Sequence, residues 1–166
     1  LWYIGEFSKV IRQTLEFSSI KNITLDYEIE YLRRYIELEN LRRRVKVFVD
    51  FQIRTSDNIE DIEIPPLILQ PLIENVFVHA FDQKKVNPEL KIEFSQISNK
   101  LLCLIVDNGK GMLFSKKNSK GISLVKERLK LNNDDFPNNL TFCSSNEGTR
   151  VLLIVCGRSI KNVSDK

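Results

Sequence analysis

The chain has 166 residues, which is about the size of one domain and enough to bury a sizeable core. Its 42% hydrophobic and 28% charged residues are typical of a globular protein and exclude a disordered one. The net charge of +3 is too small to indicate nucleic-acid binding by itself.

No apolar run reaches the roughly 18 to 20 residues that cross a bilayer, and no signal peptide is visible. The chain begins at Leu1 rather than at a methionine, so we expect it to be a piece of a longer protein. Cys103, Cys143 and Cys156 lack the spacing of a metal site, which favours buried thiols in a reduced, cytosolic compartment.

Two amphipathic helices are predicted at the start of the chain. Residues 1–19 place apolar side chains at helical spacing. Thr24 is the expected N-cap of a second helix that runs to about Arg44. This helix is rich in arginine, but its positive charges alternate with acids at i, i+4 spacing, as in Glu30–Arg34, Arg33–Glu37 and Glu39–Arg43. A solvated face is therefore favoured over nucleic-acid binding.

Strands are predicted at residues 45–53, 90–97, 100–106, 140–145 and 149–156, with a hairpin around Ser98-Asn99 and another around residues 146–148. Residues 101–106 are apolar at every position and predict a central strand. A helix is predicted at residues 121–131, and the tail from Gly157 is polar. Antiparallel pairs with helices between them indicate an α/β (α+β) two-layer sandwich, with a mixed, mainly antiparallel sheet covered by helices.

The stretch PPLILQPLIENVFVHAF, residues 65–81, predicts a helix packed on the core. Its apolar stripe comprises Leu69, Leu72, Ile73, Val76, Phe77 and Ala80. At about 100° per residue, Asn75 and His79 lie one turn apart at one edge of the stripe, whereas Glu74 points elsewhere. From this stretch alone, two boundary polar residues hydrogen-bonded to nearby backbone are the favoured interpretation over a binding site.

Three further signals follow in order: Asp107-Asn108-Gly109-Lys110-Gly111 after the central strand, Gly121-Ile122-Ser123-Leu124 at a helix start, and Glu147-Gly148-Thr149 in the last hairpin. Each alone is an ordinary turn or helix start. Together they fit a nucleotide site. A fixed carboxylate can accept from an exocyclic amine, glycines allow close approach of the backbone, and a helix N-terminus offers N–H groups to phosphate.

This order of motifs resembles the GHKL (Bergerat-fold) ATP-binding domains, and LQPLIENVFVH at residues 69–79 resembles sensor histidine kinases of the LytS/YehU type. The similarity extends through FSKVIRQTL, ITLDYEIEYLRRYIELENLR, GISLVKERL and GTRVLLIV. It implies a helical segment at residues 1–44, an ATP-binding catalytic domain at residues 45–156 and a tail at residues 157–166.

The resemblance also implies roles for single residues. Asn75 would ligate Mg²⁺ beside the ATP phosphates, with His79 nearby, and Asp107 would accept from the adenine amino group. Gly109 and Gly111 would let the loop pass the base, and Thr149 would support the base through water. The phosphate-facing helix would contribute Gly121, Ser123 and Leu124, after an ATP lid at residues 112–120 whose lysines Lys116, Lys117 and Lys120 could reach phosphate.

Several positions depart from the family's pattern. Val78 stands where many relatives have a lysine, and Gly121-Ile122-Ser123 replaces the usual G-x-G. His79 is the only histidine, so the phosphoacceptor histidine would lie outside this chain. Pro71 occupies the position of the water-activating glutamate of GHKL hydrolases, which implies little ATP hydrolysis. Glu74 is then the candidate to orient or deprotonate the incoming imidazole.

The resemblance thus implies a two-component sensor histidine kinase that transfers the γ-phosphoryl group of ATP to a histidine. Its partners would be the phosphoacceptor helix of the same or a partner subunit, a second copy in a homodimer and a response regulator, with no nucleic acid. The chain would be the cytoplasmic part of an inner-membrane sensor. The alternatives are another GHKL kinase, such as an anti-sigma serine kinase, and a degenerate module that serves as a regulatory or dimerisation platform.

Overall fold

Helices and strands alternate along the chain in the computed structural model, which describes residues 2–81, 85–111, 120–132 and 139–159. The helices are α1 (Trp2–Ser18), α2 (Leu25–Leu41), α3 (Gln70–Asn75) and α4 (Lys120–Asn132). The strands are β1 (Ile23–Thr24), β2 (Phe48–Arg54), β3 (Ile62–Ile64), β4 (Glu89–Ile97), β5 (Lys100–Asp107), β6 (Leu140–Ser145), β7 (Gly148–Cys156) and β8 (Arg158–Ser159). Among these helices, none is long and apolar enough to cross a membrane.

A five-stranded sheet with the order β2-β4-β5-β7-β6 forms one layer. Only β2 and β4 pair in parallel, and the other neighbours are antiparallel. The apolar strand β5 lies in the middle, as the sequence predicts. The expectation of a mixed, mainly antiparallel sheet covered by helices is confirmed.

Helices α2, α3 and α4 cover one face of this sheet, which we call the inner face. Successive side chains along each strand point alternately to the inner and the outer face. Ile92 and Phe94 of β4 and Ile105 of β5 point to the inner face and are fully buried. Leu32 of α2 and Val125 of α4 are also fully buried in the same core. Helix α2 therefore shares its core with the sheet, while the division at residue 44 stays a prediction.

Helix α1 packs on α2 through a second, smaller cluster. Val10 and Phe17 of α1 contact this cluster together with Tyr31 and Leu38 of α2. The rings of Phe17 and Tyr31 lie 5.8 Å apart between centroids. The two predicted helices are thus present, but α2 ends at Leu41 rather than near residue 44.

A small sheet with the order β1-β3-β8 is absent from the sequence prediction. The sequence predicts no strand between residue 53 and the site helix, but Ile62–Ile64 is a strand. Strand β8 lies in the segment expected to be a polar tail and pairs with β3. These strands have only two or three residues, which is too short to show a period of two in the sequence.

The expectation of buried thiols holds only for Cys103, which lies on the inner face of β5. Cys143 is exposed because it occupies an outer-face position of β6, and Cys156 is half-buried. All three are free cysteines.

Candidate functional site

The helix predicted at the centre of the site changes its winding at Asn75. Residues Gln70–Asn75 are α-helical, and Val76–Ala80 form a π turn. The predicted apolar stripe is buried throughout, with Leu72 only 2% and Ile73 0% exposed. A π turn inside an α-helix is rare and is frequent at functional sites.

The carboxyl end of β5 places Asp107 opposite Thr149 of β7. Asp107 is 5% exposed, and its Oδ1 accepts the backbone N–H of Gly109 at 2.9 Å. Burial raises the pKa of Asp107, while hydrogen bonds from Gly109 and Thr149 oppose the rise. Because a carboxylate can accept about four hydrogen bonds, acceptor capacity remains for a donor such as an exocyclic amine.

The loop after β5 runs between the end of the site helix and the last hairpin. A Cβ added to Gly109 would lie 2.4 Å from the carbonyl oxygen of Ala80, and the adjacent Lys110 N–H donates to that same oxygen at 3.0 Å. Gly111 has a φ of +78°, and a Cβ there would lie 2.0 Å from the carbonyl oxygen of Ser145. These glycines therefore permit close approach to protein backbone, and their predicted approach to a base stays a prediction.

These elements enclose a cleft on the inner face, which we call the site cleft. Five of the predicted site residues line it, namely Asn75, His79, Asp107, Gly111 and Thr149. Its apolar lining comprises Leu72, Val76, Ala80, Phe142 and Val151. The cleft encloses only about 10 Å³ in this conformation, so a nucleotide would have to widen it.

The other predicted site residues do not line the site cleft. Glu74 is exposed on the side of α3 that faces α2. On that side, burial raises the pKa of Tyr35, and the charges of Glu39 and Glu74 raise it further. Gly109 is buried behind the cleft.

Helix α4 forms a rim beside the site cleft. Gly121, at its start, lies close to α3, since a Cβ there would be 3.2 Å from the Cβ of Pro71. Ser123 and Leu124 are exposed on the same helix, as is Lys120. Most of the predicted ATP lid, including Lys116 and Lys117, lies outside the described residues.

The chemistry of Asn75 fits a single Mg²⁺ ligand. Its Nδ2 donates to the carbonyl oxygen of Pro71 at 2.8 Å. Because that carbonyl only accepts, the amide oxygen of Asn75 is the group left for a cation. Within the described residues, no group of three or more His, Cys, Asp or Glu side chains could hold a metal ion. A cation here would therefore depend on oxygens of the bound ligand and on water.

A larger cavity of about 530 Å³ lies on the outer face of the sheet. Asp50, Lys91, Val106 and Arg150 line it, and Asp107 and Thr149 border it where the strands end. Neither Asn75 nor His79 reaches this cavity. We assign the site to the smaller cleft because only there do residues of the helix and of the sheet meet.

Sequence reasoning missed the residues that support the site helix. Arg43 was expected to pair with Glu39, but it donates to the carbonyl oxygens of Phe77 and Phe81, and Glu39 pairs with Arg42 instead. The predicted Glu30–Arg34 pair is present.

Glu28 is the second missed support. It is fully buried and accepts two backbone N–H groups of the segment before α3. Its position in α2 is a sequence signal that could have indicated its burial, because Glu28 falls at i+3 from the buried Leu25 and one residue before the buried Ile29.

Comparison with solved structures identifies the fold. The catalytic domain of the histidine kinase ThkA, in a nucleotide-free form, matches with a TM-score of 0.56 over 84% of this chain and 97% of that domain, at 14% identity. The histidine kinase domain of a blue-light activated histidine kinase from Erythrobacter litoralis EL346 matches with a TM-score of 0.60 over 82% of this chain and 64% of that chain, at 18% identity. The fold is thus that of histidine kinase catalytic domains.

Sequence comparison identifies the particular relatives. Sensor protein LytS of Oceanobacillus iheyensis is 31% identical over 106 residues, which are 64% of this chain and 18% of that protein. The sensor histidine kinase/phosphatase LytS of Staphylococcus aureus is 29% identical over 122 residues, which are 73% of this chain and 20% of that protein. No protein-family model matches the chain. The chain is similar to the LytS sensor kinases, and the part that it matches is about a fifth of their length.

Proposed function

We propose that the chain is the ATP-binding catalytic domain of a sensor histidine kinase. The observation that carries the proposal is the site cleft, where Asn75 and His79 of one helix meet Asp107 and Thr149 of the sheet. In this proposal Asp107 accepts from the adenine amino group, and Thr149 supports the base through water. Gly109 and Gly111 shape the loop beside it.

The phosphates would lie toward Asn75, His79 and the start of α4. Asn75 would hold Mg²⁺ through its amide oxygen, and the ion would neutralise charge on the phosphate oxygens. Gly121, Ser123 and Leu124 would border the phosphates from the rim. Phosphoryl transfer would then depend on positioning and charge neutralisation rather than on covalent chemistry by this chain.

The acceptor would be a histidine outside this chain, on the phosphoacceptor helix of the same or a partner subunit. The bond between the γ-phosphorus and the bridging oxygen breaks, a phosphorus–nitrogen bond forms, and ADP leaves. Glu74 is exposed on the site helix and is the proposed group to orient or deprotonate that imidazole. A Glu74→Gln kinase that contains the acceptor helix and keeps full phosphotransfer would contradict this role.

The names of the relatives extend the proposal to the parent protein. As part of a sensor kinase, the chain would act in a homodimer, pass the phosphoryl group to a response regulator and lie on the cytoplasmic side of a membrane-anchored sensor. These partners and this location are proposals for the whole protein, since the matched relatives are about five times longer than their matched part.

The test is thermal unfolding of the 166-residue chain with and without Mg-ATP, beside Asp107→Asn. Ligand at about 100 times its dissociation constant stabilises the native state by about 2.7 kcal/mol. We expect this stabilisation in the wild type and its loss in Asp107→Asn, because the buried acceptor loses its charge. Asp50→Asn, on the outer face of β2, is the matched control and should keep the stabilisation.

The narrowness of the site cleft favours one alternative, a degenerate module with weak or no nucleotide binding. The exposed Val78 and Ser123, which depart from the family's pattern, point in the same direction. No stabilisation of the wild type by millimolar Mg-ATP would support this alternative. Val78→Lys and Ser123→Gly would then be the first substitutions to restore binding.

A further inference from the structure

Glu28 of α2 holds the beginning of the segment that carries the site helix, residues 67–81. Its Oε2 accepts the N–H of Leu67 at 2.8 Å, and its Oε1 accepts the N–H of Leu69 at 3.1 Å. Glu28 is 0% exposed, so water does not compete for these bonds. Above its pKa of about 7 Glu28 is charged, and hydrogen bonds to a charged acceptor are among the strongest in proteins, so this end of the segment is firmly held at pH 8.

Arg43, two residues beyond the end of α2, holds the other end of the segment. Its Nη1 donates to the carbonyl oxygen of Phe77 at 2.9 Å, and its Nη2 donates to that of Phe81 at 3.2 Å. The guanidinium carbon also lies 5.9 Å and 5.7 Å from the centroids of the two phenyl rings. The planar fork of an arginine holds two carbonyls in a fixed geometry, which the single ammonium group of a lysine does not reproduce.

A third contact lies close to the first, near the start of the segment. The hydroxyl of Tyr31 in α2 donates to Oε1 of Gln70 at 2.9 Å and lies 2.9 Å from the hydroxyl of Thr14 in α1. Tyr31 is fully buried. Three side chains from one stretch of the chain therefore hold the segment, two of them near its start and one at its end.

The two charged contacts also match the polarity of the helix. A carboxylate lies at its N-terminal end and a guanidinium at its C-terminal end, which is the arrangement that the helix dipole favours. Asn75 and His79 lie between these contacts and line the site cleft. A small shift of the helix along its axis would move both side chains relative to Asp107. Mg²⁺ is sensitive to such a shift because it demands near-ideal octahedral geometry at about 2.0 to 2.1 Å.

We propose that Glu28 and Arg43 are positioning residues of the nucleotide site, because together they fix the helix that carries Asn75 and His79. Neither residue lines the site cleft, so both act through the helix. The inference rests on the proposed function and adds to it the residues that set the placement of the magnesium ligand.

The test measures ADP binding to the 166-residue chain at pH 8, once with Mg²⁺ and once with EDTA. In the wild type, Mg²⁺ should strengthen binding through Asn75. The measure is the ratio of the ADP dissociation constant in EDTA to that with Mg²⁺. In Arg43→Lys this ratio should fall about tenfold, which corresponds to about 1.4 kcal/mol. The dissociation constant in EDTA should stay unchanged, because the base is held by Asp107 on the sheet.

Glu28→Gln is the second variant and should give the same pattern from the other end of the segment, which covers the case that Arg43→Lys does not fold. Arg42→Gln is the matched control, since the Arg42 side chain is 65% exposed and pairs only with Glu39. In an Asn75→Ala chain, Arg43→Lys should add no further loss of affinity.

Three results would contradict the inference. Equal weakening with Mg²⁺ and with EDTA would indicate a merely structural role. An unchanged response to Mg²⁺ in both variants would show that the helix is positioned by other contacts. A wild-type chain that binds no ADP would contradict the proposed function itself, and the inference with it.

Discussion

The two sides of the candidate site differ in how firmly the protein fixes them. On the sheet side, Asp107 and Thr149 are 5% and 4% exposed, and the loop at Gly109 packs directly on the site helix. On the α4 side, Ser123 and Leu124 are exposed. The residues proposed to contact the base are therefore held in place by the sheet, although the cleft beside them would have to widen for a nucleotide. The part proposed for the phosphates belongs to an exposed helix face, where binding has more freedom to rearrange side chains.

A large pH-dependent effect is expected at Glu28, which holds the segment before the site helix. Burial raises the pKa of Glu28 from 4.5 to about 7, against the lowering effect of the Leu69 and Leu67 N–H groups and of Arg128. The native state therefore keeps a proton that the unfolded chain releases. The contribution of this protonated Glu28 to the unfolding free energy is fully present below about pH 4.5 and is lost as the pH rises through 7.

Urea unfolding from pH 4.5 to pH 8 measures this effect in the wild type and in Glu28→Gln. The difference between their unfolding free energies should change by about 3 kcal/mol over that window, in favour of the wild type at low pH. Glu30→Gln, on the exposed side of the same helix, should show no such dependence. A constant difference between wild type and Glu28→Gln would contradict the raised pKa.

The next effect concerns the packing between the loop and the site helix. Gly109→Ala would place a Cβ 2.4 Å from the carbonyl oxygen of Ala80. Relieving this clash would require the backbone of the loop or of the site helix to move, which costs energy. We expect a loss of about 2 kcal/mol in unfolding free energy from such overpacking. Gly5→Ala is the control, because nothing lies within 4 Å of a Cβ there and alanine favours the helix α1. Equal stability of the two variants would contradict the close packing of the loop.

The smallest effect concerns the rim. Leu124 is 42% exposed on α4, so Leu124→Ala should change the unfolding free energy by no more than about 0.5 kcal/mol. Ile122, on the same helix, is fully buried, and Ile122→Ala should cost about 2 to 5 kcal/mol. Comparable losses for the two variants in urea unfolding would show that the rim is as tightly packed as the rest of the site.

The sequence predicts the long helices and strands because their hydrophobic periodicity extends over enough residues to be recognised. The strand alternation and the apolar stripe of the site helix predict the elements themselves. The meeting of Asn75, His79, Asp107 and Thr149 in one cleft follows from the family resemblance and not from this periodicity. Three features escape this reasoning. The strands β1, β3 and β8 are too short to show a period, and a π turn of five residues is too short to be distinguished by its spacing from the end of an α-helix. The partner of Arg43 lies 34 residues away, beyond the reach of rules for pairs within one helix.

The end of the site helix also bears on how the chain folds. Its carbonyl oxygens at Phe77, Ala80 and Phe81 accept from Arg43, which precedes them by more than thirty residues, and from Lys110, which follows them by about thirty. Contacts of such high sequence separation form only after long loops have closed. A nascent or partly unfolded chain would therefore hold the separate helices and hairpins without a binding site. Nucleotide recognition would appear in one cooperative step with the completed fold.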